Sequence, residues 1–83
     1  MTSFSEKQLV ALVQDGLPYD TRYFQQLITP YLPQLKGYCT KVLNNQSDAE
    51  DVVQEVIIKV LTNLQGFKWL VSFKVWLFKI AHN

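Results

Sequence analysis

The 83-residue chain is predicted to be all-α, a compact bundle of about four helices with the second kinked or broken near Pro30 and Pro33. Three observations lead there. Apolar residues follow a helical period nearly everywhere, two capping-box patterns stand where apolar runs begin, and no linker, repeat or low-complexity stretch divides the chain. Hydrophobic residues make up 48% and charged residues 18%, ordinary values for a globular protein, so disorder is excluded. A chain of this length builds one core, and residues 1–83 are therefore taken as a single domain.

The first helix is expected to start near Ser3 or Ser5. Ser3 and Glu6 have the spacing of a capping box, in which each side chain satisfies a backbone amide of the helix start. Leu9, Val10, Leu12 and Val13 form its buried stripe, and Gly16 followed by Pro18 is a natural stop. A second helical stretch begins near Asp20 or Thr21. Its apolar face runs from Phe24, Leu27 and Ile28 through Leu35 and Cys39 to Val42 and Leu43, ending at Asn44-Asn45. An interior proline costs a helix about 3 kcal/mol, so Pro30 and Pro33 predict a kink or break over residues 29–33.

The third helix carries the second capping box, Ser47 with Glu50, and its early acids Asp48, Glu50 and Asp51 suit the positive end of the helix dipole. Ala49, Val52, Val53, Val56, Ile57, Val60, Leu61 and Leu64 fill its buried face. Their β-branched character suits a strand, but the 3.6-residue period and the cap decide for helix. Gly66 opens a loop over residues 65–71. Ser72 then caps a fourth helix that buries Phe73, Trp76, Leu77 and Ile80 and leaves Lys74 and Lys79 outside. The sequence stops at His82-Asn83 with no helix-ending signal, so this domain is expected to be cut before its last helix ends.

Several function classes are excluded. Cys39 is the only cysteine, which rules out an internal disulfide and a cysteine-based zinc site; it reads as a small apolar residue on a helix face. No apolar run reaches the roughly 18 residues of a membrane span, and the N-terminus lacks the blocks of a signal peptide, so a cytoplasmic location without membrane insertion is expected. No nucleophile–base pair or glycine-rich phosphate loop is present, and the single histidine, His82, has no second ligand at metal spacing. Neither an enzyme nor a metal or other cofactor is expected.

The net charge of +1 conceals a segregation. Residues 47–55 carry Asp48, Glu50, Asp51 and Glu55 without a base, and residues 56–83 carry Lys59, Lys68, Lys74 and Lys79 without an acid. Asp48, Asp51 and Glu55 recur at i, i+3 and i+7 with Gln54 beside them, a solvent-facing patch able to receive arginines. Downstream, Phe67, Lys68, Trp69, Phe73, Lys74, Trp76, Phe78 and Lys79 interleave rings and cations, the mixture that holds single-stranded DNA. Helical periodicity assigns Phe73 and Trp76 to the core. Trp69, in the loop, is either a packing lid or a DNA-facing residue.

Two linked runs carry a family resemblance. Ser47-Asp48-Ala49-Glu50-Asp51-Val52-Val53-Gln54-Glu55-Val56 is similar to one motif, and Leu64-Gln65-Gly66-Phe67-Lys68 with Ser72-Phe73-Lys74-Val75-Trp76-Leu77-Phe78-Lys79-Ile80-Ala81-His82-Asn83 is similar to another, in order and at the right separation. Together they resemble the region-two domain of the extracytoplasmic-function (ECF) sigma factors of bacterial RNA polymerase. The resemblance implies a transcription initiation factor. Its acidic helix, through Asp48, Asp51, Gln54 and Glu55, docks on the β′ clamp helices of the polymerase core. Its loop and last helix, through Phe67, Lys68, Trp69, Ser72, Lys74, Lys79 and Asn83, recognise and melt the promoter −10 element, mainly by holding its non-template single strand. An anti-sigma factor is a candidate further partner. The chain departs from the family in the loop: many members carry a glycine and an acidic residue where Trp69, Leu70 and Val71 stand, and Val75 replaces the usual threonine. The competing readings are a helix-turn-helix regulator, for which the connection over residues 65–71 is too long, and a helical protein-interaction adaptor that binds no nucleic acid.

Overall fold

Ser5 starts the first helix. Its hydroxyl accepts from the Gln8 amide at 3.1 Å and its own amide donates to Gln8 Oε1 at 2.9 Å, so the two satisfy each other's backbone donors. The computed structural model to which this geometry belongs describes residues 4–44 and 46–82, with Gln46 described in its backbone only. The described elements are α1 (Glu6–Gly16), α2 (Phe24–Ile28), a 3-10 turn Thr29–Tyr31, α3 (Leu32–Leu43), α4 (Gln46–Asn63), a 3-10 turn Leu64–Gly66 and α5 (Phe73–His82). No strand occurs among the described residues, and the predicted all-α class is the observed one. The chain forms two compact units, Met1–Pro30 and Tyr31–Asn83.

In the first unit α1 packs on α2. Leu9, Val10 and Val13 of α1 are buried, as are Phe24, Leu27 and Ile28 of α2. A capping box is formed by Ser5 and Gln8, the later of the two expected starts; Glu6 is helical, and Ser3 of the expected pair Ser3 and Glu6 lies outside the described residues. Gly16 closes α1 for a reason other than left-handed backbone. The Asp20 amide donates to the Gly16 carbonyl at 2.7 Å, and a Cβ on Gly16 would meet the Asp20 Cβ at 3.0 Å, so the returning chain needs the missing side chain. The second helical stretch starts at Phe24, later than expected. Asp20 Oδ1 accepts from the Arg22 amide at 3.1 Å, and the Arg22 guanidinium grips the same carboxylate at 2.8 Å, and Arg22 and Tyr23 form a turn ahead of α2. That pairing holds the Asp20 carboxyl below its ordinary pKa.

The predicted interruption is the turn Thr29–Tyr31. Pro30 lies inside it. Pro33 is the second residue of α3, where a backbone N–H has no intrahelical partner to lose. Asn44 then ends α3 in the left-handed conformation (φ 54°), donating its amide to the Thr40 carbonyl at 2.7 Å. The short turn folds α4 back along α3 as a helical hairpin. Asn45 lies outside the described residues.

Along α4 the buried residues Ala49, Val53, Val56 and Val60 keep helical spacing, and Leu64 continues them into the 3-10 turn. Two expectations about this hairpin are corrected. Val42 and Leu43 are exposed, because the polar opening residues of α4, Ser47 and Asp48, are themselves exposed and burial on α4 begins only at Ala49. Ser47 stands inside α4, which already includes Gln46, and the Glu50 carboxylate reaches Lys36 Nζ on α3 at 3.1 Å.

The last helix matches its prediction closely. Ser72 Oγ accepts from the Val75 amide at 3.2 Å, and Phe73 and Leu77 are buried beneath it. Tyr38 of α3 and His82 of α5 share a hydrogen bond of 2.8 Å, and the Phe78 ring meets Tyr38 edge-on. Cys39 is buried, and burial pushes its thiol pKa up, away from reactivity.

Candidate functional site

Asp48, Asp51, Gln54 and Glu55 are all exposed on α4, while Ala49, Val53 and Val56 of the same turns are buried. The heptad-like interleaving therefore separates an apolar face, committed to packing, from an acid-and-amide face turned to water. Next to this face a groove of about 450 Å³ runs between α3 and α4. Leu32, Val53 and Ile57 give it an apolar lining, Asp51 and Gln54 a polar one, and the Lys36–Glu50 pair stands on its edge. The sequence places neither Lys36 nor Leu32, the latter only part of an apolar face, at this site, because no local spacing marks a residue whose partner lies on the next helix.

The second surface is built by rings. Phe67 is buried at 5% exposure and has Trp69, Trp76 and Phe73 around it, with centroids at 4.7, 5.0 and 5.8 Å. Phe73 also meets Tyr31 at 5.7 Å. This cluster anchors both ends of the loop between the 3-10 turn and α5. The Phe67 amide donates to the Leu64 carbonyl at 3.1 Å, and Ser72 is fixed by its capping role.

Between these anchors the loop turns outward. Trp69 takes a left-handed backbone (φ 60°) and lies with its ring on Phe67, while Leu70 is 91% exposed. Val71 and, on α5, Val75 are exposed too. A hollow of about 150 Å³ opens here, lined by Phe67, Lys68, Leu70, Val71 and Trp76. Lys68, Lys74 and Lys79 are exposed. Phe67 thus supports the loop from beneath, and Trp76, assigned to the core by periodicity, reaches the hollow as well. Asn83 lies outside the described residues.

Both surfaces fall within one stretch of sequence. Residues 27–83 match the sigma-70 region 2 family. The chain belongs to that family.

Its similar curated relatives are sigma factors. The RNA polymerase sigma-H factor of Pseudomonas aeruginosa is 34% identical over all 83 residues, which cover 42% of that protein. The ECF RNA polymerase sigma-E factor of Haemophilus influenzae is 33% identical over 95% of the chain and 40% of the relative. The ECF RNA polymerase sigma factor SigW of Bacillus subtilis is 31% identical over 93% of the chain and 40% of the relative. The chain spans about two fifths of the length of these relatives. No solved structure matches the chain. No described helix of this sigma-70 region 2 chain is long and apolar enough to cross a membrane.

Proposed function

We propose that this sigma-70 region 2 chain serves transcription initiation by binding bacterial RNA polymerase and opening promoter DNA. The exposed face Asp48, Asp51, Gln54 and Glu55 is the observation that carries the reading. It lies inside the family-matched segment, on a helix that buries Ala49, Val53, Val56 and Val60 on another side. Carboxylates take arginine through paired charge-assisted hydrogen bonds, and an amide both donates and accepts. This face docks on the β′ clamp helices.

The loop over residues 67–72 and the start of α5 hold the non-template strand of the −10 element. Lys68, Lys74 and Lys79 attract its phosphates, and one unstacked base enters the hollow beside Phe67 and Trp76. Base-to-ring stacking contributes about 1–3 kcal/mol per base, enough to offset the few kcal/mol of unstacking. No step here makes or breaks a covalent bond. The names of the relatives, RNA polymerase sigma factors, support the same reading.

Titration of the chain against the isolated β′ clamp-helix segment tests it. Saturable binding that Gln54→Ala/Glu55→Lys abolishes is the expected result. A folded chain that binds nothing would replace this reading with that of a helical adaptor for another protein.

A further inference from the structure

The hollow beside the loop of residues 67–72 is lined by side chains of a narrow chemical range: Phe67, Lys68, Leu70, Val71 and Trp76. Burial grades them from the inside outward. Phe67 is 5% exposed and Trp76 half-buried, whereas Val71 is 45% and Leu70 91% exposed. Rings therefore stand deepest and aliphatic branches outermost. The polar side-chain groups along this lining are the Lys68 ammonium and the Trp76 indole N–H, and both are donors without acceptor capacity. Among the described residues that line the hollow, no side chain carries a carboxylate, an amide or a hydroxyl.

We propose that this hollow selects thymine from the four DNA bases, with Leu70 and Val71 as the specificity-determining residues. The inference rests on the reading of the loop as a surface for single-stranded DNA and names the base that surface takes. Two properties of the bases meet two properties of the lining. Thymine alone carries a methyl group, at C5, and apolar side chains read it by contact. Leu70 and Val71 offer that methyl an aliphatic surface that an edge of nitrogen and oxygen cannot use. Adenine, cytosine and guanine each carry an exocyclic amine, and thymine carries none. An amine turned to this lining gives up water and finds no side-chain acceptor, which weakens binding. The thymine carbonyls are acceptors and suit a lining of donors. The strand itself is drawn in by charge: residues 56–83 carry lysines and no acid, so no acidic side chain of this stretch repels the phosphates.

Binding of oligo(dT), oligo(dU) and oligo(dC) strands of one length, read by fluorescence anisotropy, tests this. The first two differ in the methyl alone; relative to dU, dC replaces the O4 carbonyl with an amine. The wild-type chain is expected to bind oligo(dT) about fourfold more tightly than oligo(dU), the return on burying one methyl group. Its preference for oligo(dT) over oligo(dC) is expected to be about tenfold. Leu70→Ala/Val71→Ala removes the aliphatic surface and should bring the dT-to-dU ratio to about one, with the salt dependence of binding unchanged. Both residues are exposed, so the helical circular dichroism spectrum should be that of the wild type; should the pair of substitutions unfold the chain, Leu70→Ala alone carries the comparison. Equal affinity for the three strands, or a preference for oligo(dC), overturns the base assignment and leaves the DNA reading standing. A preference for oligo(dT) that survives undiminished in the variant overturns the role of this hollow. A folded wild-type chain that binds none of the strands overturns the DNA reading and the base assignment with it.

Discussion

At Trp69 the backbone enters the left-handed region with an indole attached. Such a conformation costs a residue with a Cβ about 1–2 kcal/mol. The tilted contact with the Phe67 ring at 4.7 Å returns about 0.5–1.5 kcal/mol, so cost and gain are of similar size. Trp69→Gly is therefore expected to change stability by no more than about 1 kcal/mol, since it removes strain and ring contact together. Trp69→Val loses the ring contact and adds a β-branched side chain at positive φ, and should cost about 2 kcal/mol. Urea unfolding of the two variants measures the contrast; equal losses would mean the loop backbone relaxes freely. No spacing of residues around Trp69 marks this left-handed turn. Phe67 was harder to place. Its neighbours in sequence mark a loop, and only the convergence of Trp69, Phe73 and Trp76 makes it a buried residue.

Helix ends were legible where a side chain meets its own backbone and illegible where another helix intervenes. Ser72 is the first kind. Its hydroxyl satisfies the Val75 amide, and Ser72→Ala is expected to destabilise the second unit by about 1 kcal/mol. Pro33 had the appearance of a breaker but occupies the first turn of α3. Pro33→Ala should accordingly shift stability by less than about 1 kcal/mol, far below the 3 kcal/mol of an interior proline. Thermal melts of both variants, read beside the wild type, check the pair of predictions; a large effect of Pro33→Ala would contradict the observed helix start. Ser47 and Glu50 are the second kind. Their spacing is right for a cap, yet Glu50 turns to Lys36, and a partner on α3 is invisible to any pattern internal to α4. The apolar stripe of α3 likewise overran, because periodicity shows which face could be buried and not how far the covering helix extends over Val42 and Leu43.

Across the whole chain a net charge near zero masks two zones of opposite sign, the acids of residues 47–55 and the lysines of residues 56–83. That division was fully legible, because charge order is a property of sequence. If Lys68, Lys74 and Lys79 each neutralise one phosphate, log K for a single-stranded −10 oligonucleotide should fall against log salt with a slope of about −2. Fluorescence anisotropy over a salt series measures it, and a slope near zero would remove the lysines from the DNA surface. The all-α class was legible for the same reason that the groove was not: periodicity is local, while a groove needs two helices in register. Yet that register is nearly local as well. Asn44 reverses the chain within a short turn, so closing the hairpin that seats Lys36 beside Glu50 loses little chain entropy, whereas Tyr38 must wait for a partner 44 residues away. The proposed polymerase-binding face is thus among the first parts of the second unit that a growing polypeptide could complete, ahead of the ring cluster beneath the loop of residues 67–72.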